Sequence, residues 1–535
     1  MNNFLFQTKP KGFFQLTILI ATSLLAFSQI SCGPTRDSDR VIVASKGKIE
    51  SLDPAQANKL LAIQLLSALG DPLYRINDEG VLEPRLASDQ PYISKDGLTV
   101  SIPLRENVLF HDGTSFNSEA MAFSIRRFMD IGTLNYIIGG RIVDIETPNP
   151  FLIRIKLSRQ SSSIKGLLTS INLTPISPTA YKNYQDKFLN KQFIGTGPYK
   201  LDSFSPERQR LIPFKGYWDG KPTNKGIDFI SYTSSISLFS AMKTGQIDVL
   251  LSNSLEDGHR LALHKLSKKG KIIEGVGPAM QIEYIAFKSN SPPLNQKLIR
   301  QALSYSINRD LISKQVSYGL REPLRSIVPP VLQKEKQSKW PIYNPIKARK
   351  LYEKAGFCNQ NILNIPLTFR SNVPADKLLA LTWQSQIKRD FSDCIELKLN
   401  GVESTTVYKQ LSEGSYNAVI LGWTGEYPDP HAYLSPLLDC KKISDSICKE
   451  GEAVFGGTFW ASNEIQKALD QTEILTGNKR DKKLSDIELL ASKGGAILPI
   501  WLEKPRAWAQ TNFLKPKFDG SGRLLLNQLQ KEKRK

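Results

Sequence analysis

The sequence predicts an α/β protein with mixed sheets, on three observations. Apolar segments of helical period alternate with short segments of strand period along most of the chain. Cap residues and glycines punctuate those segments where helices should start and stop. The 535 residues, 40% of them hydrophobic and 9% aromatic, are enough to build sizeable cores, at about 100–200 residues per domain.

The elements follow in order. Residues 59–69 are apolar with helical rhythm, and residues 98–104 alternate like a strand. Asn117 or Ser118 caps a helix predicted to run to about Met129. Residues 235–243 read as a helix stopped by Gly245, followed by a strand over 247–251. Residues 298–316 keep helical spacing. Asn344-Pro345 combines a cap with a first-turn proline, and Gly356 ends that helix. Residues 375–391 are helical. Ile395, Leu397 and Leu399 then alternate with Glu396, Lys398 and Asn400, a strand with one buried face. Residues 416–422 read as a fully buried strand. A composition shift at 289–294 (SNSPPL) follows the apolar run 282–287, and a second strand-like run spans 496–501. These two runs are the expected crossings between two lobes.

The amino terminus has the order of an export signal. Lys9 and Lys11 precede an apolar run over 13–27, and small and polar residues lead to Cys32. Ser31-Cys32-Gly33 suits a lipoprotein signal in which Cys32 is lipidated, although Gln29 stands where an aliphatic residue is usual. A signal peptide over 1–31 is expected, with an uncleaved amino-terminal anchor as the alternative. Four cysteines remain, allowing three pairings. An oxidising compartment favours the pairs local in sequence, Cys358 with Cys394 and Cys440 with Cys448.

The net charge of +20 falls to +18 without Lys9 and Lys11. Basic residues are spread out, and the densest runs, Lys268-Lys269, Lys441-Lys442 and the tail 531–535, are short. No basic helix or aromatic-interleaved motif supports nucleic-acid binding, so solubility accounts for the charge.

Several blocks, in order, resemble one large family. SLDPAQA (51–57) matches its opening, and DPLYRINDEGVLEPRLA (71–87) follows. LRENVLFHDGTSFNSEAMAFSIRR (104–127) is the most diagnostic stretch. IGTGPYKL (194–201), GYWDGKP (216–222), IAFKSNSPPLNQKLIRQALSYSINRDLI (285–312) and GWTGEYPDPHAYL (422–434) complete the set. The chain resembles the solute-binding proteins of peptide, dipeptide and nickel ABC importers from about Val41 to Phe518.

That resemblance implies a two-lobed periplasmic binding protein fold, with ligand in the cleft and hinge closure around it. Lobe I is expected over 38–284 and 497–526, with an extra subdomain at about 86–200. Lobe II is expected over 285–496. The implied partners are a peptide or other small-molecule ligand and the permease subunits in the membrane. The protein is expected to act as a monomer, on the outer side of the cytoplasmic membrane.

A zwitterionic peptide needs a partner for each charged end. Glu426 stands where dipeptide-binding relatives use an aspartate for the ligand ammonium. Arg370, in LTFRSNVP, resembles an arginine that pairs with a ligand carboxylate, with a surface salt bridge as the alternative. Trp423 and Tyr427 are candidates for the pocket floor, or for ordinary core. Asp429-Pro430 is a ligand-site turn, or simply a turn. His431 matches the histidine that reaches a chelated metal in nickel-binding relatives, and is assigned to the site only if the ligand is such a chelate.

No G-x-S-x-G, H-E-x-x-H or P-loop is present, and no cofactor motif is found. A receptor for peptides is the expectation, with a nickel or metal-chelate receptor as its alternative. A periplasmic hydrolase and an envelope interaction protein are the rivals from other classes.

Overall fold

The computed structural model describes residues 40–77, 80–138, 140–252, 255–334 and 338–532. The export signal and Cys32 lie outside the described residues. Among those residues, no helix is long and apolar enough to cross a membrane.

Two large mixed sheets organise the chain from Val41 onward. The first has seven strands, in the order Ile273–Val276, Arg506–Ala509, Val249–Leu251, Val41–Lys46, Ile227–Tyr232, Arg208–Pro213 and Tyr199–Ser205. Its three central strands are parallel, with Val41 opposite Ile227 and Val43 opposite Val249. One face packs on helix Leu60–Leu69 through Leu65, Leu66 and Leu69. The other face buries Leu238, Leu263 and Trp508.

The second sheet has six strands, in the order Glu322–Pro323, Ile497–Glu503, Gln281–Phe287, Ala418–Thr424, Leu363–Arg370 and Ile395–Val402. Gln281–Phe287 and Ile497–Glu503 pair with each other antiparallel, Gln281 opposite Glu503. Both strands expected to cross between lobes therefore lie wholly inside the second sheet. The chain passes between the sheets at 277–280 and 504–505, so the junctions expected at 284/285 and 496/497 shift outward. The reason is burial: Ile282 to Phe287 are buried on both faces, as a central strand requires and a solvent-bathed link does not.

A four-stranded antiparallel sheet, Tyr92–Ile93, Thr99–Pro103, Leu152–Leu157 and Ile142–Asn149, forms the extra subdomain against helix Ser118–Ile131. Asn117 is the cap of that helix, its side chain accepting from the Ala120 N–H at 2.9 Å. The helical stretch predicted over 298–316 is two helices, Lys297–Ser306 and Arg309–Ser317. Asn308 breaks it by accepting from the Leu311 N–H and so capping the second helix. Asn344 caps helix Pro345–Lys354. Cys358 is bonded to Cys394 and Cys440 to Cys448.

Candidate functional site

A cavity of about 940 Å³ opens between the two sheets. That is within the range of small-molecule pockets, ~300–1,000 Å³. The first-lobe wall comes from the carboxyl end of Val41–Lys46, the first turn of Leu60–Leu69 and the start of helix Asp257–Lys268. The second-lobe wall comes from Gly422 to Pro428, the start of helix Pro374–Phe391, and Trp501 with Glu503. Both walls thus use loops and element ends held by packed sheets.

Strand Ala418–Thr424 delivers the GWTGE segment to the cavity. Gly425 lies against the ring of Tyr433, where a Cβ would come within 2.6 Å. Tyr433 is fixed in turn, its hydroxyl donating to the Met280 carbonyl at 2.6 Å. Only glycine allows this approach, and it sets the path that leads into Glu426.

Glu426 lines the cavity. Its Oε1 accepts from the Tyr136 hydroxyl at 3.1 Å, a bond from the extra subdomain across the cleft. Among the described residues it has no cationic partner. Burial raises its carboxyl to about 7, with the Tyr136 bond working the other way. Trp423 also lines the cavity; its indole N–H is spent on the Ala432 carbonyl at 3.0 Å, leaving its ring for contact. Tyr427 lines the cavity and is buried, with its ring against Gly166 of the first lobe.

Arg370 lines the cavity as well, but its charge is taken. Its Nε donates to Asp376 Oδ2 at 2.7 Å, its Nη2 to Glu283 and to Asp376 Oδ1, and its Nη1 to the Tyr408 hydroxyl at 3.0 Å. Burial lifts the Glu283 carboxyl well above its usual range, opposed by Arg370 and reinforced by Asp376 and Glu503. One arginine between two buried carboxyls leaves no charge to offer a ligand carboxylate; Arg370 is spent on an ion pair, and that pair is buried rather than at the surface where the alternative put it.

Asp429 and His431 do not line the cavity. Asp429 takes a two-pronged pair from Arg480 at 2.8 and 3.0 Å and accepts the His431 N–H at 2.8 Å. It is the turn, not a ligand contact. His431 is buried, its Nε2 2.7 Å from Glu473 Oε1. Glu473 also holds Arg141 at 3.0 Å and the Ser161 hydroxyl at 2.9 Å. His431 thus belongs to a cluster that ties the lobes together beside the cleft. No group of three or more potential metal ligands occurs among the described residues.

Sequence reasoning missed a second charge cluster on the cavity floor. Glu503 accepts from Arg260 at 2.6 Å and from Arg321 at 3.2 Å, and Arg321 also pairs with Asp257. Asp257 and Arg260 sit in the first lobe, Arg321 and Glu503 in the second. Burial works to raise the Glu503 carboxyl, but the two arginines overcome it and hold it at about 2. No local motif marks these residues, whose ion pairs join positions 64 to 243 residues apart.

Comparison with known proteins identifies the scaffold. Residues 81–445 match the model of the bacterial extracellular solute-binding proteins, family 5 Middle. The glutathione-binding protein GsiB of Escherichia coli is 27% identical over 459 residues, covering 84% of this chain and 85% of that protein. A dipeptide-binding protein from Pseudoalteromonas sp. SM9913, solved with Met-Leu, superposes with a TM-score of 0.78 at 22% identity, covering 92% of this chain and all of that one. NikA from Brucella suis, solved with Fe(III)-EDTA, gives 0.80 at 20% identity with the same coverage. The match spans most of the chain and both lobes, and the chain belongs to family 5 of the bacterial extracellular solute-binding proteins, the extracytoplasmic binding components of ABC importers, and is not an enzyme.

Proposed function

We propose that the protein captures short peptides by their free amino terminus and delivers them to a membrane permease, working as a monomer held at the membrane surface through a lipid on Cys32. One observation carries the peptide reading: among the described residues, Glu426 faces the cleft without a cation, whereas Asp257, Glu283, Asp376 and Glu503 each have an arginine. A ligand ammonium beside Glu426 would return its carboxyl to the ionised form and satisfy both charges. The glutathione- and dipeptide-binding relatives support the ligand class. The lipid reading rests on Ser31-Cys32-Gly33 alone, and an acyl mass on the amino-terminal fragment of the membrane-extracted protein is its test.

Calorimetry with ligand that co-purifies with the protein tests the anchor. Glu426→Gln keeps the shape and removes the charge. Breaking a buried pair costs about 3–5 kcal/mol, roughly a hundred- to several-thousand-fold in affinity. His431→Ala should change affinity little, because His431 faces Glu473. The reverse order would favour a metal chelate, and a loss under about threefold in both variants would place the ligand elsewhere in the cleft.

A further inference from the structure

A peptide held by its ammonium on the second lobe still carries a carboxylate, and the cleft must meet it. Among the described residues, eight cationic side chains line the cavity: Lys46, Lys48, Lys59, Arg260, Arg321, Arg370, Arg506 and Arg523. The five arginines are all committed. Arg260 and Arg321 hold Glu503, and Arg370 holds Glu283 and Asp376. Arg506 pairs with Glu274 at 2.5 Å and Arg523 with Asp519 at 2.9 Å. Lys48 reaches Glu207 at 2.6 Å and Lys59 reaches Glu50 at 2.8 Å, both at the exposed rim.

Lys46 differs. It is half-buried, lines the cavity, and its ammonium has no hydrogen bond or ion pair to any other described residue. It ends strand Val41–Lys46, which runs parallel to Ile227–Tyr232 and Val249–Leu251. Ligands of open α/β sheets bind at the carboxyl ends of parallel strands, which is where this lysine stands. The start of helix Leu60–Leu69 lines the same wall, and its first-turn N–H groups add positive potential there. Glu426 lines the opposite wall.

We infer that Lys46 is the carboxylate-binding residue of the cleft, and that it makes the protein select peptides with a free carboxyl terminus, or an acidic side chain in that place, over neutral ones. The inference rests on the peptide reading above. Its chemistry is a charge-assisted N–H···O bond from Lys46 Nζ to a carboxylate oxygen. The bond joins the first lobe to a ligand whose other end is held by the second. A zwitterion of the right length then closes the lobes with both of its charges, and an amidated peptide closes them with one.

The test uses a mixed library of tripeptides as free acids and as the matching carboxyl-terminal amides. Retention by the refolded, ligand-stripped protein is read by gel filtration and mass spectrometry. Wild type should retain acids over amides by about ten- to a hundredfold, the worth of one hydrogen bond to a charged group. Lys46→Met should bring that ratio to about threefold or less while amide retention stays as in wild type. Lys46→Arg should keep the preference, which separates a charge role from a packing role. A Lys46→Met protein that keeps the wild-type ratio overturns the inference. Wild type retaining both sets equally, with Glu426→Gln losing both, also overturns it and leaves the ammonium anchor standing. Wild type retaining neither set overturns the peptide reading and the inference together.

Discussion

Glu503 and Glu426 are the same residue type, in the same cleft, and end up in opposite electrostatic states. Glu503 stands between Arg260 and Arg321 and is held at about 2. Glu426 has a tyrosine hydroxyl and is raised to about 7. Burial pushes both upward; only the neighbours differ. The contrast separates two jobs. A carboxylate whose charge is already met by the protein is scaffold, and here it joins the lobes behind the cavity. A carboxylate left without a cation is costly to the empty protein and is rewarded only by a ligand that brings one.

The largest expected effect tests the scaffold side. Glu503→Gln leaves Arg260 and Arg321 buried beside a neutral group and should destabilise the protein by about 3–5 kcal/mol at pH 7, read by chemical denaturation. Because the carboxyl is depressed in the folded state, its contribution is present above the ordinary value of 4.5 and is lost as pH falls from there toward 2. Glu426→Gln should do the reverse. Its carboxyl is raised, so it costs nothing below 4.5, an increasing amount up to about 7, and the full amount above that. The variant should match wild type at pH 4 and exceed it at pH 8 by roughly 1–2 kcal/mol, after discounting about 1.4 kcal/mol per unit for partial exposure. Equal behaviour of the two variants across pH would erase the distinction between scaffold and site.

The smallest effect is expected at Glu283. Burial and the neighbouring Asp376 raise its carboxyl well above the usual range, against the pull of Arg370. Glu283→Gln offers an amide N–H and a carbonyl in the same places and should change stability by less than about 1 kcal/mol near neutral pH. A loss as large as that of Glu503→Gln would mean that Glu283 is ionised, and that the single charge of Arg370 faces two carboxylates.

How much of this was legible in the sequence depended on distance along the chain. Helices announced by a cap or a stop glycine, such as Ser118–Ile131, Ser235–Lys243 and Pro345–Lys354, fall where the pattern puts them, because those signals act within one turn. The break at Asn308 was hidden because the apolar spacing runs on through it. In the GWTGEY segment, Trp423, Glu426 and Tyr427 do line the cleft, since one strand and one glycine deliver all three. Asp429 and His431 lie two and four residues beyond Tyr427 and turn away, toward Arg480 and Glu473. Local sequence cannot say that, because both partners come from distant helices.

The sequence by itself determined the alternation of elements, the caps, the two-sided apolar strands and the segment that enters the cleft, all set by backbone propensity and hydrophobic period. Tertiary structure alone decided which charges are spent. Arg370 and Lys46 are both single cations in unremarkable local contexts. The fold brings Glu283, 87 residues away, onto Arg370 and leaves the ammonium of Lys46 facing open space. Coulomb energy depends on separation in space and on the dielectric between charges, and neither is written in the order of residues.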